Sequence, residues 1–154
     1  MRQPHMTGAV FGLLLFSIGL PARAGDSLYG TITEVKRADV VVLDYGEGQM
    51  ELKLIGIEVP TEAAFAAQSK SFVSNLVLGK SARMRFQYRT PEGVMLVRLF
   101  TDDPVIGIKE VAVELVRAGL ARRQEDYDFK YGELTRAERD ARTARRGLWA
   151  AEQQ

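Results

Sequence analysis

The order of apolar and polar residues changes its period several times along the chain, and each change marks a predicted element. The segment YGTITEVKRADVVVLDY is rich in β-branched residues and predicts two strands, or one long bent strand. The Gly-Glu-Gly at residues 46–48 predicts a tight hairpin turn. After it, QMELKLIGI alternates apolar and polar residues with the period of a strand. The first three strands should therefore form an antiparallel meander.

A helical period follows the third strand. Thr61 is a favourable N-cap, and EAAFAAQSKSFVSNLVLG places apolar residues on one helical face up to Gly79. Two further strands are expected over SARMRFQYR and GVMLVRLF, joined by a proline-containing turn. Two more helices are expected over IKEVAVELVRAGLA and GELTRAERDARTARRG, ended by Gly119 and Gly147. This order predicts an α+β, β-rich fold with a five-stranded antiparallel barrel of the oligonucleotide/oligosaccharide-binding (OB) type and three helices.

The first residues have a different character from the rest of the chain. Arg2 is the only charged residue before an apolar run over residues 9–20, which is too short to span a bilayer comfortably. Pro21 interrupts the run, and a small-x-small motif, Ala-Arg-Ala, ends at Ala24. This pattern predicts a secretory signal peptide over residues 1–24, with cleavage after Ala24. An uncleaved N-terminal membrane anchor is the alternative.

Cleavage would leave a single domain over residues 25–154, secreted or periplasmic, with no stable membrane anchor. The full chain of 154 residues has a formal charge of +1, one His and no Cys. The signal segment carries Arg2, Arg23 and His5 but no acid, so the remaining domain is slightly acidic and has no His. A zinc site of the usual kind, a Cys nucleophile and a His general base are therefore excluded. Enzymatic chemistry would need carboxylates, Lys, Arg, Tyr or Ser, with a hard metal that prefers oxygen ligands.

Four segments between about residues 29 and 149 carry a resemblance to a known family. They are GTITEVKRADVVVL, LKLIGIEVP, VAVELVRAGLA and RAERDARTARRGLW. In this order and spacing the chain resembles the staphylococcal nuclease (thermonuclease) family, whose pattern includes V-x-D-G-D-T-V, R-L-x-G-I-D-x-P-E and G-R-x-L-A. The resemblance implies a five-stranded barrel with three helices, and calcium-dependent hydrolysis of DNA or RNA phosphodiester bonds. A shared fold does not by itself establish that activity, so each site position has to be compared.

The resemblance assigns the two metal-binding acids of the family to Asp39 and Glu58. Where the family has Asp-Gly-Asp, this chain has Arg37, Ala38 and Asp39, so one of the two acids is replaced by a cation. Asp39 would be either a metal ligand or an ordinary turn residue. Glu58 replaces an Asp with a side chain one methylene longer, which calcium tolerates better than magnesium does. The resemblance implies calcium as a possible cofactor, bound weakly or not at all if the site is degraded.

The catalytic positions have changed more. Lys53 stands at the first of the family's two arginines, where it keeps the charge but loses the planar two-donor fork; it would otherwise be a surface lysine. Thr61 stands at the water-orienting Glu, and the adjacent Glu62 is either its replacement or a first-turn helix acid. Val94 stands at the second arginine, a loss that commonly costs two to three orders of magnitude in rate. Arg98 lies too far along the strand to replace it.

Tyr127 and Tyr131 lie in the segment where the family stacks a base on tyrosine, although packing between helices is the alternative role for both. Together, the changes at Lys53, Thr61 and Val94 favour an exported domain with impaired catalysis. Such a domain would bind a partner, either single-stranded DNA or RNA or another protein. The alternatives are an active calcium-dependent endonuclease and a structural envelope protein without a ligand.

Overall fold

A computed structural model describes residues 23–101, 104–105 and 107–151, so the predicted signal peptide lies almost wholly outside the described residues. The strands are β1 (Ser27–Arg37), β2 (Val40–Asp44), β3 (Gln49–Leu54), β4 (Ile57–Glu58), β5 (Ser81–Arg89), β6 (Met95–Thr101) and β7 (Arg122–Arg123). The helices are α1 (Ala63–Val77), α2 (Val111–Arg117), α3 (Glu133–Thr143) and α4 (Leu148–Ala151). Within these described ranges, no helix has the length and apolar character needed to cross a membrane.

Five of the strands close into a barrel in the order β1-β2-β3-β6-β5. Four of the ladders are antiparallel, but β3 and β6 run parallel, with Lys53 opposite Leu96. The predicted α+β fold with a five-stranded OB-type barrel is confirmed, whereas the prediction that all its strands are antiparallel is wrong at this one ladder. In a closed ring of five strands, alternation of direction cannot be completed, so at least one pair of neighbours must be parallel.

The core lies inside the barrel and between the barrel and the helices. The alternation predicted for the strands is clearest in β6, where Met95, Val97 and Leu99 are buried and the residues between them are partly exposed. The fully buried large side chains come from strands and helices alike: Ile32, Val41, Leu43, Leu52, Leu54, Val73, Val77, Val97, Leu99, Val111, Leu115 and Leu134. This continuous apolar core holds the strand ends and helix starts that build the site in a fixed arrangement.

The first helix begins one residue later than its sequence indicates. Glu62, not Thr61, is the N-cap residue of α1, and it makes no capping hydrogen bond through its side chain. The backbone of Glu62 is still extended (φ −61°, ψ 128°), while its carbonyl accepts the N–H of Ala66 at 2.8 Å. The prediction that Thr61 caps the helix is therefore wrong, because the extended chain that follows Pro60 continues for one more residue.

The third helix is capped by a residue that precedes it in the loop. Asp128 Oδ1 accepts the N–H of Leu134 at 3.0 Å, and its Oδ2 accepts the N–H of Thr135 at 3.1 Å. Burial opposes ionisation of this carboxyl group, but the hydrogen bonds outweigh that effect and hold the pKa of Asp128 below its ordinary value. The cap thereby ties the loop before α3 to the helix.

Two glycines join the ends of α2 and α3 at close range. A Cβ on Gly119 would lie 2.2 Å from the carbonyl oxygen of Arg146, and the carbonyl of Gly119 accepts the N–H of Leu148 at 2.9 Å. Gly119 and Gly147 both have positive φ, which glycine adopts without strain. The two helices end before these glycines, as predicted, and the short helix α4 after Gly147 was not predicted.

Candidate functional site

A groove of about 670 Å³ lies between the turn after β1, the end of β3, the segment around β4 and the first turns of α1. It brings together four of the residues singled out from the sequence: Asp39, Lys53, Glu58 and Thr61. Each comes from a different part of the chain, and the barrel closure places them on one side of the molecule.

Cations outnumber acids in the lining of this groove. Lys36, Arg37, Lys53 and Lys70 line it, against the carboxylates of Asp39 and Glu58. Lys36 on β1 is paired at 2.5 Å with Glu51 on β3, across the intervening strand β2. The groove therefore offers an anionic ligand a net positive surface.

The pairing of Arg37 with Asp39 is the most specific contact in the groove. Arg37 Nε donates to Asp39 Oδ1 at 3.0 Å, and Arg37 Nη2 donates to Asp39 Oδ2 at 2.8 Å. Only 9% of the Asp39 side chain is exposed, and the backbone N–H of Leu54 donates to the Asp39 carbonyl at 2.8 Å. The hydrogen bonds to Asp39 also raise the pKa of Arg37. Asp39 is thus held in a bidentate, charge-assisted pair within a two-residue turn that is tied to β3.

The carboxylates of the described residues are arranged unfavourably for calcium. The ion takes six to eight oxygen ligands, with carboxylates prominent among them. Both carboxylate oxygens of Asp39 already accept hydrogen bonds from Arg37, and the cation beside them would repel a metal ion. No group of three or more His, Cys, Asp or Glu suited to a metal occurs among residues 23–101, 104–105 and 107–151. A calcium ion at Asp39 would therefore have to displace Arg37 or share the carboxylate with it.

Glu58, the second predicted metal acid, also lies beside an arginine. The short strand β4 pairs with β7, and this pairing sets Glu58 directly opposite Arg122. Gly56, with φ of +83°, makes the bend between β3 and β4, and its carbonyl accepts the N–H of Gln124 at 3.0 Å. Glu58 is exposed at the junction of the groove with two adjoining pockets.

Lys53 and Lys70 are the cations that the groove leaves unpaired. In the described part of the chain, neither ammonium group has a hydrogen-bond or ion-pair partner. Lys53 lies between the buried residues Leu52 and Leu54, so strand alternation points it out of the barrel. Lys70 follows Ala66 by one helical turn, and both line the groove. These lysines are therefore available to a ligand.

The residues at the positions of the family's catalytic base and second arginine do not all line the groove. Thr61 lines the groove, whereas Glu62 lines an adjoining pocket with Arg122 and Leu148 and is not part of the groove's lining. Val94 is exposed at the end of the turn before β6, where its N–H donates to Thr90 Oγ1 at 3.2 Å. The structure therefore brings Lys53 and Thr61 together but places Glu62 and Val94 outside the groove.

The two tyrosines singled out from the sequence have different surroundings. Tyr127 is half-buried and meets Phe129 edge-on, with the ring centroids 5.7 Å apart. It lines the pocket on the other side of Glu58. Tyr131 is 66% exposed, with Lys130 Nζ 5.3 Å from its ring centroid. Neither ring lines the groove that holds Lys53.

Arg98 is committed to the scaffold. Its Nε donates to Glu110 Oε1 at 2.8 Å, its Nη2 bonds Glu110 Oε2, and its guanidinium lies 3.9 Å from the ring centroid of Phe129. Because its Nε and Nη2 bond the carboxylate of Glu110, Arg98 does not supply the cation that is missing at Val94.

Two features of the groove were not predicted from the sequence. The pairing of Arg37 with Asp39 has a weak sequence signal, since residues two apart in a strand and turn meet only when the backbone curls back. The position of Lys70 in the groove has a stronger sequence signal, because its helical spacing from Ala66 places both residues on one face of α1.

The family of the chain follows from a match that covers most of the domain. A family model described as staphylococcal nuclease homologue matches residues 51–151. The match spans the chain from β3 to α4 and includes Lys53, Glu58 and Thr61, while Asp39 precedes it. No curated protein matches the chain. Since the matched segment exceeds half of the sequence and the barrel has the strand and helix order expected of the family, this chain belongs to the staphylococcal nuclease homologues.

Proposed function

We propose that this chain is a nucleic-acid-binding domain that holds single-stranded DNA or RNA by its phosphates and does not cleave the strand in a calcium-dependent way. One observation carries the proposal: among the described residues, Lys53 and Lys70 have no ionic partner, in a groove where Arg37 bonds both oxygens of Asp39. The family match supports a ligand of the nucleic-acid class. The groove supports binding rather than chemistry.

The binding would be driven by neutralisation of phosphates. Each phosphate that a lysine neutralises releases counterions, and for single strands the slope of log K against log salt is about −0.7 per phosphate. Lys53 and Lys70 together would therefore give a slope of about −1.4. Arg37 is exposed despite its bond to Asp39, and its remaining N–H donors would add a weaker contact.

Three features support the absence of calcium-dependent cleavage. Both oxygens of Asp39 are engaged by Arg37, Thr61 offers a neutral hydroxyl in place of a carboxylate base, and Val94 supplies no charge to the transition state. A hydroxyl without an adjacent base does not activate water efficiently. These losses act on different parts of one reaction, so restoring any single group would not recover the others.

We also propose that the domain meets its ligand outside the cytoplasm, in the periplasm or after secretion. The apolar run over residues 9–20 and the Ala-Arg-Ala motif ending at Ala24 support this location. Expression of the full chain in a bacterial host and determination of the N-terminus of the exported product test it. A product that begins at Gly25 is expected, and full-length protein retained with the membranes would contradict cleavage.

Binding is measured by fluorescence anisotropy of short labelled single-stranded DNA and RNA over a series of salt concentrations, in EDTA and in calcium. Salt-sensitive binding that is equal in EDTA and calcium is expected, and a denaturing gel should show intact strands in both. Calcium-dependent cleavage that is lost in Asp39→Ala would overturn the proposal in favour of a nuclease. Absence of binding under all conditions would also overturn it and favour a protein partner.

Two substitutions locate the binding to the groove. Lys53→Ala and Lys70→Ala should each reduce the magnitude of the salt slope by about 0.7. Lys109→Ala is the matched control, because Lys109 is an exposed lysine that does not line the groove. Equal losses in all three variants would show that binding depends on overall charge and not on this groove.

A further inference from the structure

One tyrosine of β5 points out of the barrel, although the alternation of buried and exposed residues along the strand predicts that it points inward. Ala82, Met84 and Phe86 are buried at every second position, so alternation predicts that Tyr88 points inward as well. Instead, Tyr88 is 51% exposed. The register with β6 shifts at this point: Phe86 pairs with Val97, and Tyr88 pairs with its neighbour Leu96.

This shift is a β-bulge with Gln87 as the extra residue. A bulge places two residues of one strand opposite one residue of its partner, which reverses the side on which later side chains project. Bulges of this kind are frequent beside functional sites, where they re-aim a side chain. Here the bulge places a large aromatic ring on the outer face of the barrel, where it is not needed for the core.

The outward face on which Tyr88 lies is the one that carries Lys53. Tyr88 is opposite Leu96 in the antiparallel ladder of β5 and β6, and Leu96 is opposite Lys53 in the parallel ladder of β6 and β3. Each step across a ladder is about 5 Å, so the backbones at Tyr88 and Lys53 are about 10 Å apart. Leu96 is partly buried between them, and Val94 is exposed in the turn just before β6.

Tyr88 also lies within electrostatic range of the half-buried Tyr127. Burial is the main cause that raises the pKa of Tyr127, and the neighbouring Glu110 and Tyr88 add to it. Tyr127 in turn packs against Gly56, where a Cβ would lie 2.5 Å from the Tyr127 ring. On this face the exposed ring of Tyr88 lies two strands away from Lys53, whose ammonium group has no partner among the described residues.

We propose that Tyr88 stacks a nucleobase of the same strand whose phosphate is held at Lys53, which makes the groove selective for unpaired nucleic acid. This inference rests on the proposed function and names a residue for one part of it. Every base has an aromatic face, so stacking on tyrosine is tolerant of sequence, but in a duplex both faces are covered by neighbouring base pairs. Lys53 and Tyr88 therefore present a cation and an aromatic ring on one face, which match the phosphate and the base of one single strand.

The test separates stacking from charge by using two probes of equal length and charge. One is a labelled single-stranded DNA with its bases, and the other is the same backbone with abasic sites. Tyr88→Ala should weaken binding of the first roughly 5- to 150-fold, the effect of stacking one base, and leave binding of the abasic probe unchanged. Tyr88→Phe should bind both probes like the unaltered chain, because the ring is kept.

Tyr29→Ala provides the matched control. Tyr29 is exposed to a similar degree, 58%, but it lies on β1 opposite Arg83, away from Lys53. Its substitution should leave binding of both probes unchanged. Thermal melts of the variants confirm that each remains folded at the temperature of the assay.

The outcomes distinguish this inference from the proposed function. If Tyr88→Ala binds the base-containing probe as tightly as the unaltered chain does, and the salt slope is intact, the stacking role alone is overturned. Equal weakening of both probes by Tyr88→Ala also overturns it, because loss of a base contact cannot affect an abasic strand. Absence of salt-dependent binding by the unaltered chain overturns both proposals.

Discussion

Replacing Arg98 by methionine tests whether this arginine serves the scaffold or the ligand. Its guanidinium makes two hydrogen bonds to Glu110, lies 3.9 Å from Glu133 and stacks on Phe129. The side chains of Arg98 and Glu110 are only 16% and 7% exposed. Arg98→Met keeps much of the apolar volume but leaves a nearly buried carboxylate without its partner.

The expected cost is about 3 kcal/mol of unfolding free energy at neutral pH. Breaking a buried ion pair by removing one partner costs roughly 3–5 kcal/mol, and the partial exposure of Arg98 favours the lower end. Loss of the contact with the Phe129 ring adds to the cost. Loss of the guanidinium charge itself matters less than leaving Glu110 without its partner.

The cost should depend on pH with a definite sign. Burial raises the pKa of Glu110, and Arg98 opposes this effect, so the pKa must rise further in Arg98→Met. A group whose folded-state pKa is raised gives stability that is present below its unfolded pKa and is lost as the pH rises through the folded pKa. The difference between the variant and the unaltered chain should therefore be largest near pH 7.5 and shrink toward pH 5.

Urea denaturation followed by the fluorescence of Trp149, the single and buried tryptophan, measures both quantities. Arg89→Met is the control, because Arg89 is exposed and bonds only the carbonyl of Gly93 among the described residues. Arg98→Met combined with Glu110→Leu should recover most of the loss. A cost below about 1 kcal/mol, or one that is the same at both pH values, would refute the reasoning, as would loss of nucleic-acid binding without loss of stability.

Four further outcomes are expected. Asp128→Ala should destabilise the fold by about 1 kcal/mol in urea because α3 loses its cap, and the effect should fade as the pH falls through the lowered pKa of Asp128. Gly56→Ala should cost about 3 kcal/mol in the same assay, since its φ is +83° and the new Cβ would clash with Tyr127; a smaller change than in Asp128→Ala would contradict this. Lys36→Ala should leave the urea midpoint unchanged because its pair with Glu51 is exposed. Calcium or EDTA should leave the melting temperature unchanged, whereas a rise with calcium would reveal a bound ion.

The sequence predicted the elements well because apolar periodicity reports which face of a segment is buried. Strand alternation placed Lys53 on the outer face between Leu52 and Leu54, and the structure agrees. The glycines that end the helices could be predicted because few residues other than glycine adopt a positive φ. These are local properties, and each depends on a handful of neighbouring residues.

The neighbours of each strand were harder to predict. The parallel ladder between β3 and β6 joins residues more than 40 positions apart, and no alternation within either strand specifies its partner. Closure of five strands into a ring decides it. The same closure brings Tyr88, Leu96 and Lys53 into one row, which the sequence does not show.

The chemistry of the groove was also determined partly by the sequence and partly by the tertiary structure. Sequence alone determined the inventory: an Asp at 39, a Lys at 53, a Thr at 61 and a Val at 94, with no His in residues 25–154. It also determined the family, since spacing and order survive when single residues change. Only the tertiary structure decided that Arg37 folds back onto Asp39 and that a bulge turns Tyr88 outward. Side-chain pairing and strand register depend on how distant segments pack, and that information is spread over the whole barrel rather than stored in any one segment.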